Sequence, residues 1–519
     1  MRLIVFHSHY RPGGVRRIIE LALPALVGEC RPDVTSVVLA GGEAPPAAWV
    51  AALRRRLPGV NLTIATEAAV GYVSEIGGNW TAGQFKTAVV AWVEAVLEGA
   101  SGADTVVWAH NLGLGRNLTA SRAWVDACGR RGVRLVAHHH DWWFDNRWQR
   151  WPELRRTGGR SLAAVARTIF STAAHVRHAT INRADKRVLA GELGRRAGWL
   201  PNLAVAGAAP AKAVVGAARA WLDGLLGGRA PVWLVPCRML RRKNFAEALL
   251  VARWLRPEAW LVTTGGVSSA DEQPYATALR AAATRHGWRV KFGVLAGAED
   301  AKPTVAALLA ASEAVLLTSL QEGFGLPNLE AAAAERPLLV RTLPNIAPDL
   351  AEFGFRFPQA YDEVWIERGL LDARAETKRQ ETRWRAWRAG LPRACRAWAT
   401  RPPWWDAKGP MPFSRLTLTA QLEVLAHPAE TSWARCAPLN PALRRWRGRA
   451  ETGTLAVSRW PSGAARRLGA EAYGRGWAEL VATAPGTVVD GAAERIAEEF
   501  FRAKLAGENQ YPMLWNLSP

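Results

Sequence analysis

The sequence holds few cysteines, no long apolar run and no block of like charge, and each shortage closes off a class of protein. Cys30, Cys128, Cys237, Cys395 and Cys436 are all the cysteines in 519 residues, and they stand far apart with no Cys-x-x-Cys pair. Neither a disulfide framework nor a zinc site follows from that spacing, and a reducing cytoplasm is the expected compartment. No stretch approaches the roughly 20 apolar residues that span a bilayer. The opening residues, Met1-Arg2-Leu3-Ile4-Val5-Phe6-His7, carry an apolar run too short for a signal peptide and read as a first strand. No internal repeat stands out.

What is present is a long, basic chain. Its hydrophobic fraction of 49% and its length support at least two cores. The net charge of +22 is spread along the sequence, so a solvated basic exterior is the first reading and nucleic acid is not expected. An anionic partner, such as the cytoplasmic face of a membrane or a phosphorylated acceptor, is the second.

Strand-like and helix-like segments alternate over the first 200 residues. Leu3 to His7 reads as a strand, Gly13-Gly14 as a turn and Val15 to Val27 as an amphipathic helix. Val34 to Leu39, Thr105 to Ala109, Val133 to His138 and Ala179 to Ile181 read as further strands, with a helix over Thr87 to Leu97. That alternation predicts a doubly wound parallel sheet. A connector rich in Ala, Gly and Pro runs from Ala204 to Pro231 with a helix inside it. A second series then begins with Val232 to Val235 as a strand, Phe245 to Leu255 as a helix, Trp260 to Thr264 as a strand, Tyr275 to His286 as a helix and Val290 to Phe292 as a strand. After about Trp365 Arg and Trp dominate, as in Arg383-Trp384-Arg385-Ala386-Trp387-Arg388. One helix is expected over Phe413 to Leu422, and an apolar stripe of Val489, Ala493, Ile496 and Phe500 near the end. The expected division is 1–200, 201–365 and a mostly helical extension over 366–519, part of which packs back on the first domain.

The chemistry concentrates at Thr318 to Glu330. The apolar run Ala314 to Leu317 reads as a buried strand, Gly323-Phe324-Gly325 as a turn, and the Ala-rich segment from Asn328 as a helix. Helix amides then face the crevice beyond the strand end, where open α/β sheets take phosphates. Glu322 and Glu330 bracket the turn. Carboxylates repel a diphosphate, so hydroxyl-rich groups such as a sugar or a ribose are their natural ligands; helix and turn capping is the alternative for either one alone. Upstream, Arg238-Met239-Leu240-Arg241-Arg242-Lys243-Asn244 sets cations where a diphosphate would lie. Arg11 to Arg17 encloses the Gly13-Gly14 turn. Val136 to Asp141 ends a strand on three histidines. Neighbours on an extended chain alternate faces, so at most His138 and His140 converge from that run, and no metal is expected. The aromatics from Trp142 to Trp148 line an acceptor site or form a packed loop, and the residues leave both open.

Glu322 and Glu330 resemble the E-x7-E motif of the retaining nucleotide-sugar glycosyltransferases of family 4. The resemblance implies the GT-B fold, two facing Rossmann-like domains with an interdomain cleft, the first on the acceptor side and the second binding the nucleotide sugar. By the same resemblance Glu322 and His140 touch the donor sugar, Glu330 binds the ribose, and Gly323, Phe324, Gly325 and Leu326 approach the diphosphate through their backbone. Arg238 and Lys243 match the family's Arg-to-Lys pair, which stabilises the leaving group in place of a metal; no Asp-x-Asp motif occurs. Gly13 and Gly14 match its N-terminal loop, and Thr263-Thr264-Gly265-Gly266 its glycine loop at a strand end. Arg16, Asp141 and Trp142 are acceptor candidates. Leu203 replaces a glycine expected after Pro201-Asn202, and Glu335-Arg336-Pro337 departs from a pattern of small residues. The implied activity is hexosyl transfer to a glycan, lipid-linked or small-molecule hydroxyl with retention, without metal or cofactor. The alternatives are a sugar phosphorylase or nucleotide-sugar epimerase of the same fold, or a silent scaffold binding anionic polymer through the Arg/Trp-rich tail.

Overall fold

The computed structural model describes residues 1–29, 33–77, 80–267, 269–297, 302–486 and 489–515. Cys30 lies outside them. Contacts divide the chain into two compact units. One comprises Met1–Val205, Gly390–Ala399 and Ala465–Leu505, the other Ala206–Ala389, Thr400–Ala464 and Ala506–Pro519. The residues after 365 are thus shared out between the two.

The first unit is built on seven parallel strands: β1 Arg2–Phe6, β2 Ser36–Gly41, β3 Asn61–Thr66, β4 Thr105–His110, β5 Arg134–His139, β6 Val176–Thr180 and β7 Ala197–Trp199. Their order is β3-β2-β1-β4-β5-β6-β7. The central strands are near-continuous apolar runs because helices bury both sheet faces. β3 escaped the sequence reading. At the sheet edge it buries only Leu62 fully, so Asn61-Leu62-Thr63-Ile64 carries little apolar signal. The helix Leu118–Arg130 was missed as well; Asn117 caps it, its Oδ1 accepting from Ala120 N at 3.0 Å.

The late segments of this unit complete its core. The helix Gly14–Glu29 packs on the helix Ala470–Ala482, and the helix Ala492–Leu505 packs on Leu162–Ile169 and Arg183–Leu193. Ala493, Ile496 and Phe500 of the expected stripe are buried, while Val489 is 44% exposed.

The second unit repeats the design with six parallel strands: β8 Val232–Val235, β9 Trp260–Thr263, β10 Val290–Lys291, β11 Ala314–Leu317, β12 Leu338–Arg341 and β13 Gln359–Tyr361, in the order β10-β9-β8-β11-β12-β13. The helix Lys212–Leu226 fills the connector. Over Phe413 to Leu422 the single expected helix is instead a 3-10 turn, Phe413–Arg415, followed by a helix, Leu418–Ala426. Thr417 sets the break: its hydroxyl accepts from Ala420 N at 3.5 Å as the N-cap of the second helix, while its backbone N–H and hydroxyl both donate to the Glu376 carboxylate at 2.7 Å. The Arg/Trp-rich segment packs inward. Trp404 and Trp405 donate to Gln380 Oε1 at 3.0 and 2.6 Å, and the Arg415 guanidinium lies 5.0 Å from the Trp404 ring and 3.8 Å from Tyr511.

Each sheet reverses its strand order once, between β1 and β4 in the first and between β8 and β11 in the second. The crevice beyond the carboxyl ends of such a pair is where open α/β sheets hold ligands. No described helix is long and apolar enough to cross a membrane.

Candidate functional site: two loops at the switch point of the second sheet

The loop after β8 and the loop after β11 flank the reversal in the second sheet, and they are stitched together. Leu320 N donates to Arg242 O at 2.7 Å, the Thr318 hydroxyl donates to the carbonyls of Lys243 and Asn244 at 2.9 and 3.0 Å, and Arg242 Nη1 donates to Gln321 O at 2.8 Å. Asn244 turns the first loop into the helix Phe245–Leu255 through a left-handed backbone, φ 50°. Its side-chain amide donates to Glu247 Oε2 at 2.7 Å.

These bonds gather two of the expected residues, Lys243 and Glu322, and an unexpected cation, Arg242. Lys243 is 93% buried, and its ammonium forms an ion pair with Glu322. Arg242, which the sequence reading passed over inside a basic run, reaches the other oxygen of Glu322 at 3.1 Å. The Ser319 hydroxyl donates to Glu322 Oε1 at 2.6 Å, and Asn345 Nδ2 donates to the Glu322 carbonyl at 2.7 Å. Burial alone would push the Glu322 carboxyl up, but Lys243 and Arg242 outweigh it and hold the group down at about 2. Glu322 is therefore ionised and already engaged, and Lys243 is not a bare cation.

Arg238 is exposed, at the start of the same loop. Gly265 explains how it is placed. A Cβ on Gly265 would meet Arg238 Cα at 2.7 Å, backbone against backbone, so only glycine lets the two loops cross. Gly265 N donates to Cys237 O at 3.0 Å, and Met239 N to Gly266 O at 3.0 Å. The helix Leu326–Ala333 begins at Gly325, whose φ of 83° needs a glycine. Gly323 and Phe324 precede it, Leu326 is its first residue, and Glu330 stands exposed on its second turn.

A buried network lies behind the loops. The Glu247 carboxylate accepts from Arg341 Nη2 at 2.6 Å and from the Tyr361 hydroxyl at 2.7 Å, and Arg341 also pairs with Glu363 at 3.0 Å. Burial raises the Glu247 carboxyl, against the pull of Arg341, to about 7. This network leaves no local signal along the chain, because its members come from separate strands, a helix and a loop.

In the first unit Gly13 and Gly14 stand exposed at the start of the helix Gly14–Glu29. A Cβ on Gly14 would meet nothing within 4 Å, so packing does not require a glycine there. Arg16 is engaged locally, its guanidinium 5.1 Å from the Trp49 ring. His140 follows β5; its backbone N–H and that of Asp141 donate to Asn111 Oδ1 at 2.8 and 3.2 Å. Asp141 also lies 3.7 Å from Arg147. Trp142 requires a correction. It is 1% exposed, stacked on His139 at 4.3 Å and surrounded by Phe144, Phe170 and Phe500, with its indole N–H donating to Asp185 Oδ2 at 2.9 Å. Of the two readings of that aromatic stretch, the packed loop holds, because Phe500 and Phe501 of the late helix close over it.

The convergence of His110 with His138 and His140 also went unseen. His110 ends β4, in register with His138 on β5, and a sequence search that stays within one strand cannot pair them.

Comparison with known proteins bears on the second unit. Residues 225–355 match the family Glycosyl transferases group 1. Arg238, Arg242, Lys243, Glu322 and Glu330 all fall inside the match. The mannosylglucosyl-3-phosphoglycerate synthase of Petrotoga mobilis is 24% identical over 359 residues, 66% of this chain. The chain spans 65% of the length of that curated relative. Among solved structures, HepE of Anabaena in complex with UDP-glucose is similar at a TM-score of 0.47 and 18% identity, over 70% of this chain and 85% of that one. WaaG, a glycosyltransferase involved in lipopolysaccharide biosynthesis, is similar at a TM-score of 0.43 and 15% identity, over 68% and 84%.

Proposed function

We propose that the protein is a retaining glycosyltransferase that moves a sugar from a nucleotide donor to a hydroxyl acceptor. The observation that carries this is the joining of Arg242, Lys243 and Glu322 at the switch point of the second sheet, one loop away from the amide end of the helix Leu326–Ala333. Arg242 and Lys243 pair with Glu322, and Arg238 stands exposed at the start of the same loop, so the loop gathers cations that suit an anion. The diphosphate takes the cations and the turn amides, while Glu330 takes the ribose hydroxyls and Glu322 the sugar. A diphosphate arriving at Lys243 shares that ammonium with Glu322, which keeps the ammonium aimed before the donor binds.

In the transfer step the acceptor oxygen bonds to the anomeric carbon on the face from which the diphosphate leaves. The acceptor proton passes to the departing diphosphate oxygen, so no protein base is required. Preorganised cations that stabilise the charge growing on the leaving group are the largest expected contribution to rate, and no metal is needed at the diphosphate. The name of the Petrotoga relative and the net charge of +22 both favour a phosphorylated acceptor.

A thermal-shift panel of UDP-, GDP- and ADP-sugars tests the reading, since a ligand that binds only the folded state raises its stability. Acceptor-dependent release of nucleoside diphosphate, with the product's anomeric configuration read by NMR, completes it. Failure of every nucleotide sugar to shift the melting temperature would overturn the proposal. Sugar-phosphate formation from free phosphate, or epimerisation without an acceptor, would assign the site to the other enzymes of this fold. A polymer-binding tail is disfavoured by the burial of Trp387, Trp404 and Trp405.

A further inference from the structure

At the reversal point of the first sheet the imidazoles of His110, His138 and His140 come together. Each offers one ring nitrogen, and the three nitrogens lie within 4.8 Å of one another. His110 Nδ1 and His140 Nε2 are 3.0 Å apart. The topology forces the grouping: β4 and β5 are neighbours, His110 is in register with His138, and His140 follows two residues on, so all three side chains project from the same sheet face. His110 and His138 are at most 1% exposed, and the Nε2 atoms of both are buried without a hydrogen-bond partner. Polar atoms left in that condition in a native core call for an explanation, and a bound ion is one of the recognised ones.

We propose that His110, His138 and His140 form a binding site for one divalent transition-metal ion, with Zn2+ the best fit. Neutral imidazole nitrogens suit zinc, nickel, cobalt and copper and do not suit magnesium or calcium. A tetrahedral ion with metal–nitrogen bonds of about 2.0–2.1 Å sets its ligands about 3.3 Å apart. The His110–His140 pair is already near that spacing, and the widest separation closes by about 1.5 Å. Two bonds compete: His110 Nδ1 and His140 Nε2 share a hydrogen bond at 3.0 Å, which an ion between them would replace, and the Trp108 indole N–H reaches His138 Nδ1 at 3.3 Å.

Three neutral ligands leave the ion its double charge and a fourth position open. Water or an oxyanion, such as a phosphate group, would complete the shell. The site does not depend on the sugar-transfer reading. It lies in the other unit from Lys243 and Glu322.

The test uses full-length protein freed of any affinity tag, stripped with a chelator and titrated with Co2+ as the spectroscopic probe. The expected result is one Co2+ per chain, with the visible ligand-field bands of four-coordinate nitrogen ligation, abolished by competing Zn2+. His140→Ala, at the half-exposed edge of the cluster, is expected to weaken Co2+ binding at least about 100-fold, the upper end of what loss of an outer partner costs a metal site. His110→Ala should do the same where it folds. His427→Gln, in the second unit, should leave the titration unchanged. Wild-type protein that takes up no Co2+, or a His140→Ala protein that binds it as tightly as wild type, would overturn the proposal. Either result leaves the nucleotide-sugar thermal shift untouched, so the two readings fail separately.

Discussion

Glu322 holds its charge in a place that would otherwise remove it. Its side chain is 12% exposed, yet Lys243 and Arg242 keep it ionised. Removing one member of such a pair strands the other, which typically costs about 3–5 kcal/mol, whereas removing both can be nearly neutral. Glu322→Gln and Lys243→Met are therefore each expected to lower unfolding free energy by a few kcal/mol, and the double variant by less than their sum. Urea denaturation of the four proteins reads that coupling directly; strict additivity would mean that the pair is not coupled. Two glycines give a contrast of another kind. Gly265→Ala drives a Cβ to 2.7 Å from Arg238 Cα, so it should destabilise the fold by about 1–3 kcal/mol, as overpacking does, and shift Arg238 as well. Gly14→Ala has open space around it. It should leave stability within about 0.5 kcal/mol of wild type, so that any loss of nucleotide-sugar binding reports ligand contact alone.

The elements that carry the site are short, and what places them is the pair of loops. Asn244 sits at φ 50°, its side-chain amide donates to Glu247, and its own carbonyl accepts from the Thr318 hydroxyl. Asn244→Ala forfeits a buried bond and keeps the unfavourable backbone, so a loss of about 2 kcal/mol is expected, with Asn244→Gly recovering the backbone part. Circular dichroism melts of the two variants check the order. At this scale the sequence was legible where apolar runs are continuous: β8 and the helix Phe245–Leu255 fall where the residues placed them. It was illegible at β3, a half-exposed edge strand, and at Thr417, where a distant carboxylate, Glu376, splits the expected helix. Glu330 sits on the expected helix, but Arg242 drew no notice, because a charge in a basic run gives no sign of what it will face.

Across the whole molecule, the late segments decide what the first unit's core is. Phe500 and Phe501 pack on Trp142, Trp143 and Phe144. A chain ended before Ala465 would expose those aromatics, and it is expected to be insoluble or molten, as judged by dye binding and loss of near-ultraviolet dichroism. Acid stability is also a property of this unit. His7, His110, His138 and His139 lie well below the usual histidine range, and His140 and His178 at about 4, all chiefly through burial. The unfolded chain binds protons near 6.5 that the folded chain refuses, so the stability is whole above that pH and is lost as pH falls towards 4. The slope is about 1.4 kcal/mol per pH unit for each proton taken up. Urea midpoints at decreasing pH should fall accordingly, and His178→Gln, which removes one of these groups, should flatten the decline.

By itself the sequence determined the class of the fold, because strands buried on both faces must be apolar throughout and helices between them must repeat at their own period. It also marked Glu322, Lys243 and the glycine turn, since phosphate and sugar chemistry narrows the choice of residues. Tertiary structure alone decided who meets whom: Arg242 and Ser319 on Glu322, Gly265 under Arg238, Trp142 in the core, and His110 beside His138 and His140. Those pairings cross strands and loops far apart in the chain, and only the register of neighbouring strands and the close passage of two loops bring them within bonding distance.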